Sequence, residues 1–181
     1  SGPLVVYAYV VAGVIEAVAC FGSFLWVFSL EGIGPSALLF ADTEGLFDAD
    51  ADPYCPGNGR PCLNADDQLE IFGRASAAWY ITLVVAQAAF HLWTCKTLRL
   101  PITKADYGNP LSYYGSALAL ALMAIFAFVP GVSEVMGFGT APTAAIVGVT
   151  AASSGVVLIA VNEYRKHTIR TNPAMEKWLK W

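Results

Sequence analysis

One apolar stretch limits what this chain can become. From Ala75 to Leu100 the sequence is apolar between Ala77 and Trp93 and closes on Lys96 and Arg99. As a helix it spans roughly 25–30 Å, close to the hydrocarbon thickness of a bilayer. Gln87, His91 and Thr94 recur within it at i, i+4 and i+7 and so share one face. Polar side chains are costly against lipid, so that face must meet protein. Only 13% of the 181 residues are charged and the mean hydropathy is +0.55. Soluble domains carry about a quarter charged residues, which argues against a water-soluble protein.

Three further runs can span. Residues 4–28 form the first, with Glu16, Cys20 and Ser23 on one face and the small pair Gly13 and Ala17 on its surface. Glu16 is the acidic residue at predicted membrane depth. It is open to two readings, a protonated or hydrogen-bonded packing carboxylate, or an ion contact. The predicted order is a helix over 4–28, an outer loop over 29–74, a helix over 76–94 and an inner loop over 95–110. A helix over 111–129, an outer loop over 130–143, a helix over 144–161 and a tail over 162–181 complete it. The fold class is therefore an all-α membrane protein, a four-transmembrane-helix bundle with an extracytoplasmic loop between its first two helices. Gly148, Ala152 and Gly155 give the last span a smooth face. The chain shows no signal peptide pattern, and its opening on a spanning segment without Met leads us to expect a fragment of something longer.

Charge predicts the topology. Of the ten Lys and Arg residues, Arg60 and Arg74 fall in the long acidic loop, and the rest lie in the 96–109 segment or after residue 161. The positive-inside rule makes those segments cytoplasmic, with both termini inside. Cys55 and Cys62 flank a Gly/Pro turn in YCPGNGRPC, a spacing that suits a small disulfide loop. A zinc pair is the rival reading, but no second Cys or His pair lies nearby to complete it. Disulfides persist in oxidising compartments, so this loop is expected outside. Cys20 and Cys95 are read as free thiols.

No catalytic constellation is legible. There is no glycine-rich phosphate loop, and His91 and His167 lack metal-ligand spacing, so no catalytic residue, metal site or cofactor is assigned to the chain itself. Nucleic acid is not an expected partner. The stripe Gln87/His91/Thr94 is the best local candidate for ion or proton contact, with interhelical hydrogen bonding as the plainer alternative. Trp178 and Trp181, with the EYRK run, are readable as an interfacial end.

Several stretches together resemble the C-terminal membrane region of P-type cation ATPases, in particular the sodium/potassium and proton/potassium pump branch. AGVIEAVACFGSFLWVFSLEGIGPSALL is similar to the family's seventh helix and its exit turn, here Glu31 to Ser36. VVAQAAFHLWTCKTLRLPI is similar to the eighth helix with its CKTRR-type ending. NEYRKHTIRTNP, Asn162 to Pro173, resembles the exit of the tenth helix, and Gly115 with Phe128–Gly131 fits the ninth. The resemblance implies ATP-driven cation transport through an aspartyl phosphate, with ATP and Mg used by the complete pump. The DKTGT phosphorylation motif is absent here, and the main cation carboxylates belong to helices that would precede Ser1. The chain would then be a supporting half of a transport domain, with the bilayer and the preceding parts of the same pump as partners and the plasma membrane as location.

Departures from the family pattern carry information. Aligned on Cys95-Lys96-Thr97, the family's eighth-helix Asp falls at His91, and Gln87 stands one residue off the family's Gln. The ninth-helix Glu positions fall at Leu118 and Ala119. The resemblance therefore leaves Glu16, Gln87 and His91 as cation-contact candidates, without the family's extra sodium site. His91 is expected to be neutral or to supply a fixed positive charge in place of a third cation. Nothing between Asp42 and Arg74 resembles the beta-subunit contact SYGQQW, which argues against a beta-type partner. Lys177–Trp181 is similar to the family's terminal KETYY, which makes Arg165, Lys166, Trp178 and Trp181 candidate regulatory tail residues. The alternative class is a stand-alone four-span structural protein of claudin or tetraspanin type. Against it, the first loop lacks Trp and the CCG motif is absent.

Overall fold

The computed structural model of the chain describes residues 5–41, 45–57, 59–94, 99–104, 108–142 and 144–172. Among these the protein is helical, with four helices long and apolar enough to cross a membrane: Tyr9–Leu30, Ala65–Thr94, Pro110–Phe128 and Ala144–Thr171. We label the α-helices α1 (Gly13–Leu30), α2 (Pro35–Leu39), α3 (Ala65–Val85), α4 (Pro110–Phe128), α5 (Val132–Val135) and α6 (Ala144–Thr171). A π-helical stretch, Tyr7–Ala12, leads into α1. Another, Ala86–His91, continues α3 into a last turn at Leu92–Thr94. The sequence predicts no π segment at either place.

Helix α1 packs against α3 and α6, while α4 lies along α3. The packing is built from small and branched residues. Val27, Phe28, Ile33, Ile71, Ala75, Ala78 and Ile146 form one buried cluster. Ile81, Met123 and Ala127 join α3 to α4 in another. On the smooth face of α6, a Cβ at Gly155 would stand 2.6 Å from the Phe90 ring, so only glycine admits that ring. Gly148, on the same face, has open space around it.

The second span begins well before residue 76. Asn64 caps α3 by accepting from the Asp67 backbone N–H at 2.8 Å, and Asp67 returns a bond to the Asn64 N–H at 3.1 Å. This capping box starts the helix inside the acidic segment read from sequence as loop. Acidic residues at its first turn also suit the positive end of the helix dipole. The charged turns as far as Arg74 therefore project beyond the apolar part, and Ala75–Thr94 covers about 30 Å, a bilayer's hydrocarbon thickness. Likewise α6 runs on to Thr171, so Arg165 and Lys166 sit on a helix and are buried.

At the end of the bundle that carries the disulfide, α1 stops in a left-handed turn. Gly32 has φ +80°, its N–H donates to Ser29 O at 3.2 Å, and the Ile33 N–H donates to Phe28 O at 3.0 Å. Arg60 covers this turn and donates to Leu30 O at 2.6 Å. Cys55 and Cys62 are joined in a disulfide beside the Tyr54–Leu63 bridge. Buried Gln68 then pins the loop, accepting from Phe47 N–H at 3.1 Å and donating to Asp52 O at 2.8 Å. Arg74 ties three segments together, reaching Glu31 at 3.1 Å, Glu70 at 3.0 Å and Thr140 at 3.0 Å. Beneath that contact the backbones nearly touch, since a Cβ on Gly73 would lie 2.4 Å from the Gly139 nitrogen.

Candidate functional site

Three of the polar residues within the spans meet at one point. Glu16 enters from the first turn of α1, and Gln87 and His91 from the π segment that follows α3. Gln87 Nε2 donates to Glu16 Oε2 at 3.0 Å, and His91 Nδ1 lies 2.8 Å from Glu16 Oε1. Both oxygens of one buried carboxylate are thus met from a single helix face. The Glu16 side chain is 7% exposed and that of His91 20%. The sequence put Gln87 and His91 on one face and left their partner open; that partner is Glu16.

The cluster extends toward the end of α6. The Tyr7 ring meets the His91 ring edge-on at 6.2 Å, and its hydroxyl donates to Asn162 Oδ1. Asn162 Nδ2 donates to Thr94 Oγ1 at 3.0 Å, and Thr94 in turn donates to His91 O at 3.0 Å. Arg165 stacks over the Tyr7 ring at 4.7 Å. Lys166, almost wholly buried, pairs with Glu163 at 2.9 Å, and Glu163 also accepts from the Ile102 N–H. Tyr7 and Asn162 are contributions the sequence reading missed. Asn162 was visible as the polar residue that closes the last apolar run, whereas Tyr7 resembles any interfacial aromatic.

On its other side Gln87 borders a cavity of about 280 Å³ between α3 and α4, lined also by Ala88, Ser116 and Ala119. The buried Ser116 hydroxyl has no hydrogen-bond partner among the described residues. Leu118, by contrast, is exposed on the outside of α4. Cys20 is a buried free thiol. No group of three His, Cys, Asp and Glu able to hold a metal ion occurs among the described residues. Cys95, Trp178 and Trp181 lie outside the described residues, so of the tail candidates only Arg165 and Lys166 are placed.

A helical bundle with polar residues gathered between its spans is a geometry many transporters and channels could share. Comparison with known families decides among them: the profile for the C-terminus of cation transporting ATPases matches residues 1–168. The chain belongs to that family. It is thereby the C-terminal membrane part of a P-type cation ATPase, and the lipid bilayer and the rest of the pump are its surroundings. A comparison with curated proteins gave no match. In this cation ATPase segment, the four spans and the disulfide loop account for most of the matched length.

Proposed function

We propose that the chain is the supporting half of the transport domain of an ATP-driven pump for sodium, potassium or protons, in the sodium/potassium and proton/potassium branch, and that it does not pump alone. The observation that carries this reading is the convergence of Glu16, Gln87 and His91 from two different spans on one buried point. Intramembrane ionisable groups that pair in this way mark ion pathways. Gln87 stands within the π segment, one residue off the family's Gln, a departure from the branch pattern. ATP and Mg act in the preceding domains of such a pump.

In this reading the disulfide end faces outward and both termini are cytoplasmic in the plasma membrane. Arg99, Lys104, Arg165, Lys166 and Arg170 cluster at the opposite end from the disulfide, as the positive-inside rule requires. The outer loop closes on itself through Gln68, Arg60 and the disulfide, which favours a pump segment without a beta-type subunit. The test is ion transport by the complete pump carrying His91→Asp. Restoring a carboxylate at this position is expected to change ion stoichiometry and the pH dependence of transport; no change in either would sink the role.

A further inference from the structure

We propose that the groove between α4 and the end of α3 is a docking seat for another membrane span of the same pump, one that brings a hydrogen-bonding side chain to Ser116 and Gln87. The proposal rests on the chain's place in a larger pump and is independent of which ion that pump carries. Ser116 lies on the second turn of α4 and is 9% exposed, and its hydroxyl has no hydrogen-bond partner among the described residues. A serine within a helix can satisfy its hydroxyl on a carbonyl of the preceding turn. Ser23, Ser153 and Ser154 do so, each on the carbonyl three residues back. Ser116 does not, and its side chain lines the cavity of about 280 Å³ instead. Gln87 borders the same cavity. Its Nε2 is taken by Glu16, yet the residue stays exposed and its Oε1 accepts no hydrogen bond among the described residues.

Polar groups left unsatisfied in hydrocarbon are costly, so an acyl chain is a poor occupant for this groove. Its shape suits a helix. Gly115 and Ala119, four residues apart, form one wall, and a Cβ at Gly115 would meet nothing within 4 Å. Ala88 lines the opposite wall. Small residues so placed let a neighbouring backbone come close enough for its side chains to hydrogen-bond across the contact. Elsewhere α4 exposes Leu118, Leu122 and Ile125, an apolar stripe at helical spacing that suits lipid. One face of α4 is thus built for hydrocarbon and the other for protein, and the rest of the pump is the protein that surrounds this chain.

The test is photocrosslinking in the complete pump, reconstituted in phosphatidylcholine bilayers, with a diazirine amino acid placed by Ala119→photo-leucine. Mass spectrometry of the digested protein should find position 119 joined to a peptide from another span of the same pump. Val84→photo-leucine, on the opposite wall, should reach the same peptide, and it carries the test if the first variant fails to fold. Leu118→photo-leucine, on the apolar stripe, is the lipid-facing reference. Lipid adducts alone at the two groove positions, water adducts there, or a join to a separate membrane protein would each overturn the proposal. Ser116→Ala in the complete pump should shorten the half-life of thermal inactivation about threefold, the average worth of one hydrogen bond between membrane helices. An unchanged or longer half-life would show that the hydroxyl meets no partner and would overturn the proposal as well. Crosslinking needs no turnover, so a pump whose transport ignores His91→Asp would lose the ion role and leave this seat standing.

Discussion

At the scale of single residues, the account turns on one buried carboxylate and the two side chains that meet it. Hydrogen bonds between membrane helices contribute about 0.6 kcal/mol on average and up to about 1.7 kcal/mol. Glu16→Ala and His91→Ala should therefore each lower the stability of the chain by about 1–2 kcal/mol, as read by unfolding in mixed micelles with increasing dodecyl sulfate. The double variant should lose less than the sum by about 1 kcal/mol, because the two residues share one contact. Strict additivity would mean that they do not interact. The candidates themselves were legible because polar residues stand out in apolar runs, and the i, i+4 spacing of Gln87 and His91 puts them on one face. Their meeting with Glu16 was not legible. It depends on how α1 and α3 are rotated against each other, and on a π segment that periodicity at 3.6 residues does not reveal. The burial of Lys166 was not legible for a related reason. In sequence it belongs to a basic tail, yet its neighbour Glu163 lets it be buried as a pair.

At the scale of elements, the end of the bundle that carries the disulfide is fastened by contacts of high sequence separation. The capping box at Asn64 and Asp67 was present in the sequence, but the acidic and Pro-rich surroundings read as loop, so the helix starts earlier than its apolar pattern. Two variants test this region. A methyl group at Gly73 would collide with backbone rather than with a movable side chain, so Gly73→Ala should cost about 1–3 kcal/mol, in the range of overpacked cores. Removing the disulfide with Cys55→Ser and Cys62→Ser frees a loop whose ends are seven positions apart. Chain-entropy arguments give about 2–3 kcal/mol for a closure of that size. Proteolysis near Arg60 should then speed up, since that residue's bond to Leu30 O loses its anchor. Unchanged proteolysis would show that Gln68 and Arg74 hold the segment without the disulfide.

For the whole molecule, the four spans were readable from length and hydropathy, and the disulfide from the spacing of Cys55 and Cys62 around a Gly/Pro turn. Polar side chains of two spans meet at Glu16, the sequence carries no DKTGT phosphorylation motif, and no group of three His, Cys, Asp and Glu able to hold a metal ion occurs among the described residues. In the reading proposed above, energy coupling and the main ion ligands are supplied by other segments of a larger machine. The measurement that tests this most directly is the size of the native polypeptide, detected with an antibody against Met175–Trp181, together with its labelling by radioactive ATP. The account predicts a polypeptide several times longer than this chain, which forms an acid-stable, hydroxylamine-sensitive phosphoenzyme. A native product of about the chain's own size, with no phosphorylated partner migrating alongside it, would contradict the account.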